Sequence, residues 1–421
     1  MKRLLDDPTQ LATWLRDRDP IVESNHAKVE AAHELGQQAR VLPNPQLAFN
    51  AGGFVLGQTN ADNGVNPDSR MPLSLGQTTN FELGVSELVE LGKRGPRRHA
   101  ADTRVHEAGE TAVAALGGRL GDATTALGRL TYAANKRDVA AANLDAARKL
   151  RDNEKIRVDH QDLSPLEFAR IELDTEELEL QLGRAQAELE GAIATCSSML
   201  YARCAAEGLD PQALDAAAPL PAALPDTTAA VSNRPMRVAQ KLEAEALGDD
   251  AALASARKIP DPTLGVSYLI DNLTIAGNQH QQFVFSVGIP LPLFDRGNHD
   301  AAAARANARA IEAEDKAEVR EAHGMVEALL AQHATLQTTL ARLETDQIPK
   351  STQIIVQTRK AFDLGQARLA DLLLVERQHR DLLLEVLDTR FDLFNVREQL
   401  RQALGLDDEV ARGISGGTRE R

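Results

Sequence analysis

The feature that most restricts this chain is a pattern written twice. The first copy reads NPQLAFNAGGF at 44–54, then a Gly- and Asn-rich loop, then NFELGVSELVELGKRGPRR at 80–98. The second reads DPTLGVSYLI at 261–270, a shorter loop, then QFVFSVGIPLPLFDRGN at 282–298. Each copy opens on Asx-Pro, runs through two alternating segments, stops at a basic-Gly turn and enters a very long Ala-rich stretch. Phe81, Leu83 and Val85 alternate with Glu82, Gly84 and Ser86. Leu264, Val266, Tyr268 and Ile270 do the same in the second copy, as do Phe283, Phe285, Val287 and Ile289. A period of two places each apolar set on one face of a strand. At about 9–11 residues such strands are long enough to cross a bilayer on a tilt. A small soluble hairpin packed on helices is the alternative.

The segments between the strands read as helices. No proline follows Pro96 until after Gln161, and a continuous helix over that stretch would be about 100 Å long. Glycines at 109, 117, 118, 121 and 128 weaken its propensity but allow close helix approach. Ser164-Pro165-Leu166-Glu167 supplies an N-cap, a proline at N1 and a first-turn acid, which predicts a return helix to about Tyr201. Residues 5–41 read as one or two helices, with Asp19-Pro20 as cap and N1. In the second half a helix over 235–258 precedes the strands. A long helix then runs from about Asn298 to Phe362, interrupted at Pro349, with Val326, Leu329, Leu336, Leu340 and Leu343 as its apolar stripe. Gly365 marks a turn, and Leu369 to Leu404 returns, ending at Gly405.

Offsets test the duplication. Pro45 and Pro262 lie 217 positions apart, Arg94 and Arg296 202, and Glu167 and Asp371 204. The helical parts keep register within two residues, and the fall of 15 residues from 217 to 202 belongs to the hairpin loop. A period near 200 is too long for a solenoid. The expected organisation is a first repeat at 5–204 with its hairpin at 44–91, and a Pro/Ala linker at 205–235. A second repeat follows at 236–407 with its hairpin at 261–293, then a disordered tail at 408–421.

Composition removes several function classes. A net charge of -15 argues against nucleic acid, whose binding needs basic stripes. No apolar run reaches the length of a membrane-spanning helix. The first residues, MKRLLDDPTQLATWLRDRDP, lack the apolar stretch of a secretory signal; a cytosolic chain, a mature or shortened form, and a member exported by another route all stay open. Cys196 and Cys204 would lie about 12 Å apart along a helix, beyond the roughly 7 Å a disulfide spans. They can pair only if the helix ends between them, and AAEGLDP at 205–211 is a stop signal; a disulfide and two free thiols both stay open. Their spacing matches no metal motif. There is no Gly-rich phosphate loop, His-x-x-x-His pair or Ser/His/Asp set, so no enzyme activity, metal site or cofactor is expected. His99, His106, His323 and His333 read as exposed helix residues.

Four strands are too few to close a membrane barrel, which needs about eight. An open sheet in lipid would leave unpaired edges, so a membrane role requires several copies; three would supply about twelve strands and as many long helices. The duplicated layout over 5–407 resembles the TolC-type outer membrane factor family. Glu90-Leu91-Gly92-Lys93-Arg94 and Leu291-Pro292-Leu293-Phe294-Asp295-Arg296-Gly297-Asn298 are similar to the ELGGKR and PLFDRN-G runs of its cobalt–zinc–cadmium efflux subgroup.

The resemblance implies a mainly α fold with a small transmembrane β part. As a homotrimer it would form a 12-stranded barrel in outer-membrane lipid and a 12-helix periplasmic tunnel. It would dock on a periplasmic adaptor (membrane fusion) protein and an inner-membrane RND-type pump, as a passive exit duct for heavy-metal cations. Lys93, Arg94, Asp295 and Arg296 would mark the barrel–tunnel junction, and Phe49, Phe54, Phe81, Tyr268, Phe283 and Phe285 the aromatic girdles. The adaptor would touch the helix tips, Gln161, Asp162, Leu163 and Ser164 in one and Gly365, Gln366, Ala367 and Arg368 in the other. The family pattern there is Gly-x-[Leu/Ile]-[Ser/Thr], so Gln161 stands in the glycine position. Asp371, with its repeat counterpart Glu167, would form a carboxylate constriction that attracts cations; as first-turn acids both would also complement helix dipoles. Alternatives are a drug-export or type I secretion duct of the same fold, and a soluble coiled-coil scaffold.

Overall fold

The computed structural model of the chain describes residues 1–52, 79–271 and 280–416. Three short helices lead, α1 (Lys2–Asp6), α2 (Pro8–Arg18) and α3 (Pro20–Gln38), followed by strands β1 (Gln46–Gly52) and β2 (Asn80–Leu88). Helix α4 (Arg94–Asp159) and its return α5 (Pro165–Leu200) complete the first repeat. Short helices α6 (Ala213–Ala216) and α7 (Thr227–Ser232) lie between the repeats. The second repeat contains α8 (Pro235–Ser255), β3 (Thr263–Asp271), β4 (Gln281–Gly288), α9 (Asn298–Arg342), α10 (Ile348–Asp363) and α11 (Leu369–Ala403). Helix α12 (Leu406–Gly416) closes the chain. Residues 298–363 match α4 in length, both spanning 66 residues. The interruption predicted at Pro349 is a π-helical turn over Leu343–Gln347, placed so that Pro349 falls at the start of α10, where its missing N–H costs little.

The chain forms two compact units, one of residues 1–30, 107–241 and 313–421, the other of residues 31–106 and 242–312. It passes between them four times, each time within a helix. The smaller unit holds one antiparallel sheet in the order β1-β2-β3-β4. The two hairpins therefore pair through β2 and β3, with Val85 opposite Val266, so both copies build a single surface.

In the larger unit, Leu11, Leu15, Leu116, Leu120, Leu127, Leu130, Leu200 and Phe394 form the main buried cluster. Glycines in α4 make room for it. A Cβ on Gly128 would lie 2.1 Å from the Phe394 ring, so the spacing read as helix-weakening admits a whole aromatic side chain from α11. Cys196 and Cys204 are disulfide-bonded, with Cα atoms 6.0 Å apart. The helix does end between them, at Leu200, where Tyr201 adopts φ 51° and reverses the chain.

The Pro/Ala segment at 205–235, expected as the linker between the repeats, is packed: Leu209, Ala213, Leu214, Ala217 and Ala218 join the main core. One expectation, for the tail, needs correction. The tail is helical through Gly416 rather than disordered from 408; residues 417–421 lie outside the described ones. Gly405, at φ 70°, ends α11 and turns the chain. Asp407, Asp408 and Glu409 then occupy the first turn of α12, where acids favour the helix dipole, and Ala411 and Ile414 enter the core.

The α11–α12 corner concentrates buried charge. Glu398, Arg401 and Asp407 are all nearly inaccessible. Arg401 donates to Asp407 at 2.6 Å, while among the described residues Glu398 Oε2 and Asp407 Oδ2 have no hydrogen-bond partner. Burial and then the Asp407 carboxylate push the Glu398 pKa up to about 9, and burial raises that of Asp408 to about 6. An acid with a higher pKa folded than unfolded stabilises the fold only while it stays protonated. Stability of this unit should therefore fall as pH rises from about 5 toward 9. Glu398→Gln should flatten that fall, read as melting temperature against pH; an unchanged slope would show that Glu398 is not the titrating group.

Candidate functional site

The sheet separates its residues by chemistry. Leu47, Val85, Val266 and Phe285 form one cross-strand row, and Phe49, Leu83, Tyr268 and Phe283 the next. These side chains share one face, and most are open to the surroundings: Leu47 and Phe283 are each 72% exposed and Phe285 82%. The aromatic rings meet across the strands, Phe49 with Phe81 at 6.3 Å and Tyr268 with Phe283 at 5.3 Å between centroids. Phe54 lies outside the described residues. Each such side chain gains about 1.5–3 kcal/mol on leaving water, so a face of this extent does not end in solvent.

The opposite face is mostly small or polar, with Leu269 and Val284 among its larger apolar residues. Ser267 Oγ donates to Glu82 at 2.5 Å and Asn50 Nδ2 to the same carboxylate at 3.3 Å. Gly84 and Gly265 leave room for Ser267 and Ser286, which a Cβ would approach within 2.8 and 2.5 Å. Among the described residues the sheet thus has an uncovered apolar face, a more polar face across it, and two strand edges, β1 and β4.

Where strand passes to helix, the sequence-selected residues shape the turns. Gly92 sits at φ 73°, a left-handed conformation open to glycine. Asp261 ties the copies together, accepting from Leu91 N at 2.9 Å and from Lys93 Nζ at 2.6 Å. Glu90 and Arg97 form a two-pronged ion pair, and Arg94 donates to the Arg40 carbonyl. In the second copy Gly297, at φ 69°, approaches α8 so closely that a Cβ would lie 2.0 Å from the Ala254 carbonyl oxygen. Asp295 accepts from Gly297 N, and Arg296 Nε donates to the Pro292 carbonyl. The helices start at Arg94 and Asn298, so Arg94 is helical and Arg296 is not. The pairing of these two arginines, inferred from a shared offset, holds for the strands but not for the helix starts. Glu90 belongs to the run that carries the family resemblance, whereas Asp261 and Arg97 have no assigned role in the sequence reading. The Asx-Pro repeat at 261 was the available clue.

The two helix tips are near copies. Gln161 has φ 64° and Gly365 φ 71°; their amides donate to Val158 and Phe362 carbonyls, each at 2.9 Å. Leu163 is buried with Leu150, Ile171, Phe362, Leu369 and Leu372, which leaves Gln161, Asp162 and Ser164 exposed. In the second tip Gly365, Gln366 and Arg368 are exposed and Ala367 is half-buried. Glu167 closes a capping box with Ser164, whose Oγ accepts from Glu167 N at 3.2 Å. Asp371 accepts from Arg368 N at 3.3 Å. Both proposed constriction acids thus make their local contacts at their own helix starts.

The histidines differ from one another more than expected. His99 lies 2.5 Å from Asp249, a hydrogen bond that raises its pKa. His323 and His333 are half-buried rather than exposed, and burial lowers the pKa of His333. Among the described residues no group of three or more His, Cys, Asp or Glu is placed to hold a metal, and no helix is long and apolar enough to cross a membrane.

Residues 228–406 match the family model described as outer membrane efflux protein. The structure superposes on that of CusC, in crystals reporting transmembrane channel formation, with TM-score 0.77 at 15% identity over 94% of this chain and 91% of that one. VceC, an outer membrane protein of Vibrio cholerae, gives 0.72 at 18% identity over 94% and 96%. The Neisseria gonorrhoeae outer membrane channel MtrE, in its open state, gives 0.72 at 18% over 94% and 88%. Comparison of the sequence with curated proteins finds no match. The chain has the outer membrane efflux protein fold. The sequence match covers the second repeat, and the first repeats the same architecture.

Within this fold the tips offer a measurable contrast. A left-handed residue with a Cβ costs about 1–2 kcal/mol, so Gly365→Ala should destabilise its tip by that amount. Gln161→Gly should stabilise the other by about 0.5–1 kcal/mol, less because glycine loosens the unfolded chain. Hydrogen exchange of amides at 158–168 and 362–372 would show both; equal protection in all variants would refute the strain assignment.

Proposed function

We propose that the protein is an outer-membrane channel, the passive exit duct of a tripartite efflux system. The observation that carries this reading is the sheet: one apolar face without cover, one polar face, and two edges that lipid would leave unsatisfied. Three copies joined edge to edge would pair every strand and close a barrel of about twelve strands, with the small polar face inside. The helical units would then extend the path into the periplasm. The tips at 161–164 and 365–368 are the surface we assign to a periplasmic adaptor, with an RND-type pump beyond it. Nothing in such a duct performs covalent chemistry.

A buried disulfide fits the same location, since disulfides persist in oxidising compartments outside the cytosol. Heavy-metal cations are the cargo class we assign, from the resemblance of the strand-to-helix turns to the metal-efflux subgroup. The turn residues themselves are occupied with folding, so they support membership rather than ion selection. Selection would fall to the pump and to any carboxylate constriction at Glu167 and Asp371.

Two experiments test this reading. Cell fractionation should recover a heat-modifiable trimer in outer membranes, and a soluble monomer would overturn the channel. In planar bilayers Asp371→Ala should raise single-channel conductance and weaken block by divalent cations. Block that persists unchanged in that variant and in the double variant with Glu167→Ala would eliminate the ring. Growth of a strain lacking the gene on zinc, cobalt, copper and dyes assigns the cargo; sensitivity to dyes alone would replace metals with drugs.

A further inference from the structure

Helix α12 joins the rest of its unit at a corner whose charges do not balance. Three carboxyl groups are buried there, Glu398 at 1% exposure, Asp407 at 3% and Asp408 at 8%. Two guanidinium groups reach them: Arg401 Nη2 lies 2.6 Å from Asp407, and Arg234 Nε 3.8 Å from Asp408. The neighbouring charges are committed elsewhere. Arg412 of α12 pairs with Glu110 of α4 at 2.8 Å, and Arg119 of α4 with Asp19 beyond the end of α2 at 2.6 Å. Arg397 of α11 donates to the Leu214 and Asp215 carbonyls, and Glu409 faces solvent. Three acids against two bases leave one negative charge over.

The hydrogen bonds locate it. Glu398 Oε1 accepts from Gln402 Nε2 at 3.2 Å, and Asp407 Oδ1 accepts from Arg401. Glu398 Oε2 and Asp407 Oδ2 have no partner among the described residues, yet the two carboxyl groups lie within hydrogen-bond reach of each other. Arg401 Nε, 4.0 Å from Glu398 Oε2, is too far away to donate to it. A buried carboxylate without a donor is costly. A carboxyl O–H between the two groups supplies the donor and removes the surplus charge together.

We propose that Glu398 and Asp407 share one proton, and that this proton fastens α12 to the helical unit. Glu398 stands on α11 and Asp407 in the first turn of α12, so the shared proton bridges the two helices beside the Gly405 turn. Helix α4 is pressed against the corner: a Cβ on Gly117 would lie 2.2 Å from Asp408 Oδ1, and one on Gly121 2.0 Å from Gln402 Nε2. At neutral pH the proton stays, because burial and then the Asp407 carboxylate push the Glu398 pKa up to about 9. Its loss leaves two carboxylates in contact, and their charge reaches water only when α12 lifts and withdraws Ala411 and Ile414 from the core. Every group involved belongs to one chain, so the device stands apart from the channel reading.

Hydrogen exchange on the unaltered protein tests it. An opening that releases one proton becomes about tenfold easier per pH unit between the pKa values of the closed and open states. Amides of 407–416, corrected for intrinsic rates, should lose about tenfold protection per unit from about pH 6 to 8, while those of α5 at 185–196 keep theirs. Trypsin cleavage after Arg412, normalised to a peptide substrate, should accelerate in parallel. Glu398→Gln places an amide donor against Asp407 at every pH and should flatten both responses. A slope unchanged in that variant, or shared by α5, would overturn the fastening. Infrared spectra give a check that needs no opening: a protonated-carboxyl C=O band should be present at neutral pH and lost in Glu398→Gln. Absence of that band from the unaltered protein would assign the corner to a bound water or cation and overturn the shared proton.

Discussion

In the channel reading we propose, every backbone N–H and C=O that enters lipid must find a partner inside the protein. A single copy provides four strands, so β1 and β4 each keep an unpaired edge. The exposed apolar row through Leu47, Val85, Val266 and Phe285 shows which face must leave water. Under that proposal, the described residues of one copy meet neither demand alone.

Duplication is the economical route to such a part. Two related hairpins pair through β2 and β3, and Asp261 of the second copy holds the Leu91–Lys93 turn of the first. The helices run equal lengths before reversing at tips with matching hydrogen bonds. Differences between the copies then show where the surroundings differ. Gly128 admits Phe394 because α11 crosses α4 there; Ile354 is exposed where its repeat counterpart Leu150 is buried among the described residues.

Much of this was legible in the residues. Period-two alternation located all four strands, and the caps at Ser164 and Gly405 placed helix ends correctly because each acts through local geometry. The disulfide was undecided because it depends on Tyr201 taking a left-handed conformation that a non-glycine residue rarely adopts. Composition misled after 407 and was silent on packing at 205–235. Alanine and proline suggested a linker, and a glycine-rich end suggested disorder, but both segments place a few apolar residues where the helical core has room. The junction network of Glu90, Arg97 and Asp261 could not be read from spacing, since its members lie up to 171 positions apart.

The candidate constriction shows the limit of residue-level assignment most clearly. Within one chain Glu167 and Asp371 each satisfy a helix start, which is reason enough for an acid at that position. A cap uses part of a carboxylate's capacity to accept hydrogen bonds, however, and leaves its charge in place. Whether that charge acts on a passing ion is a property of how many copies converge, because one carboxylate in water is well screened while several held together are not. A residue can therefore be local in its structure and collective in its effect. The same holds for the β1 and β4 edges: each is a finished local arrangement that the proposed trimer would complete.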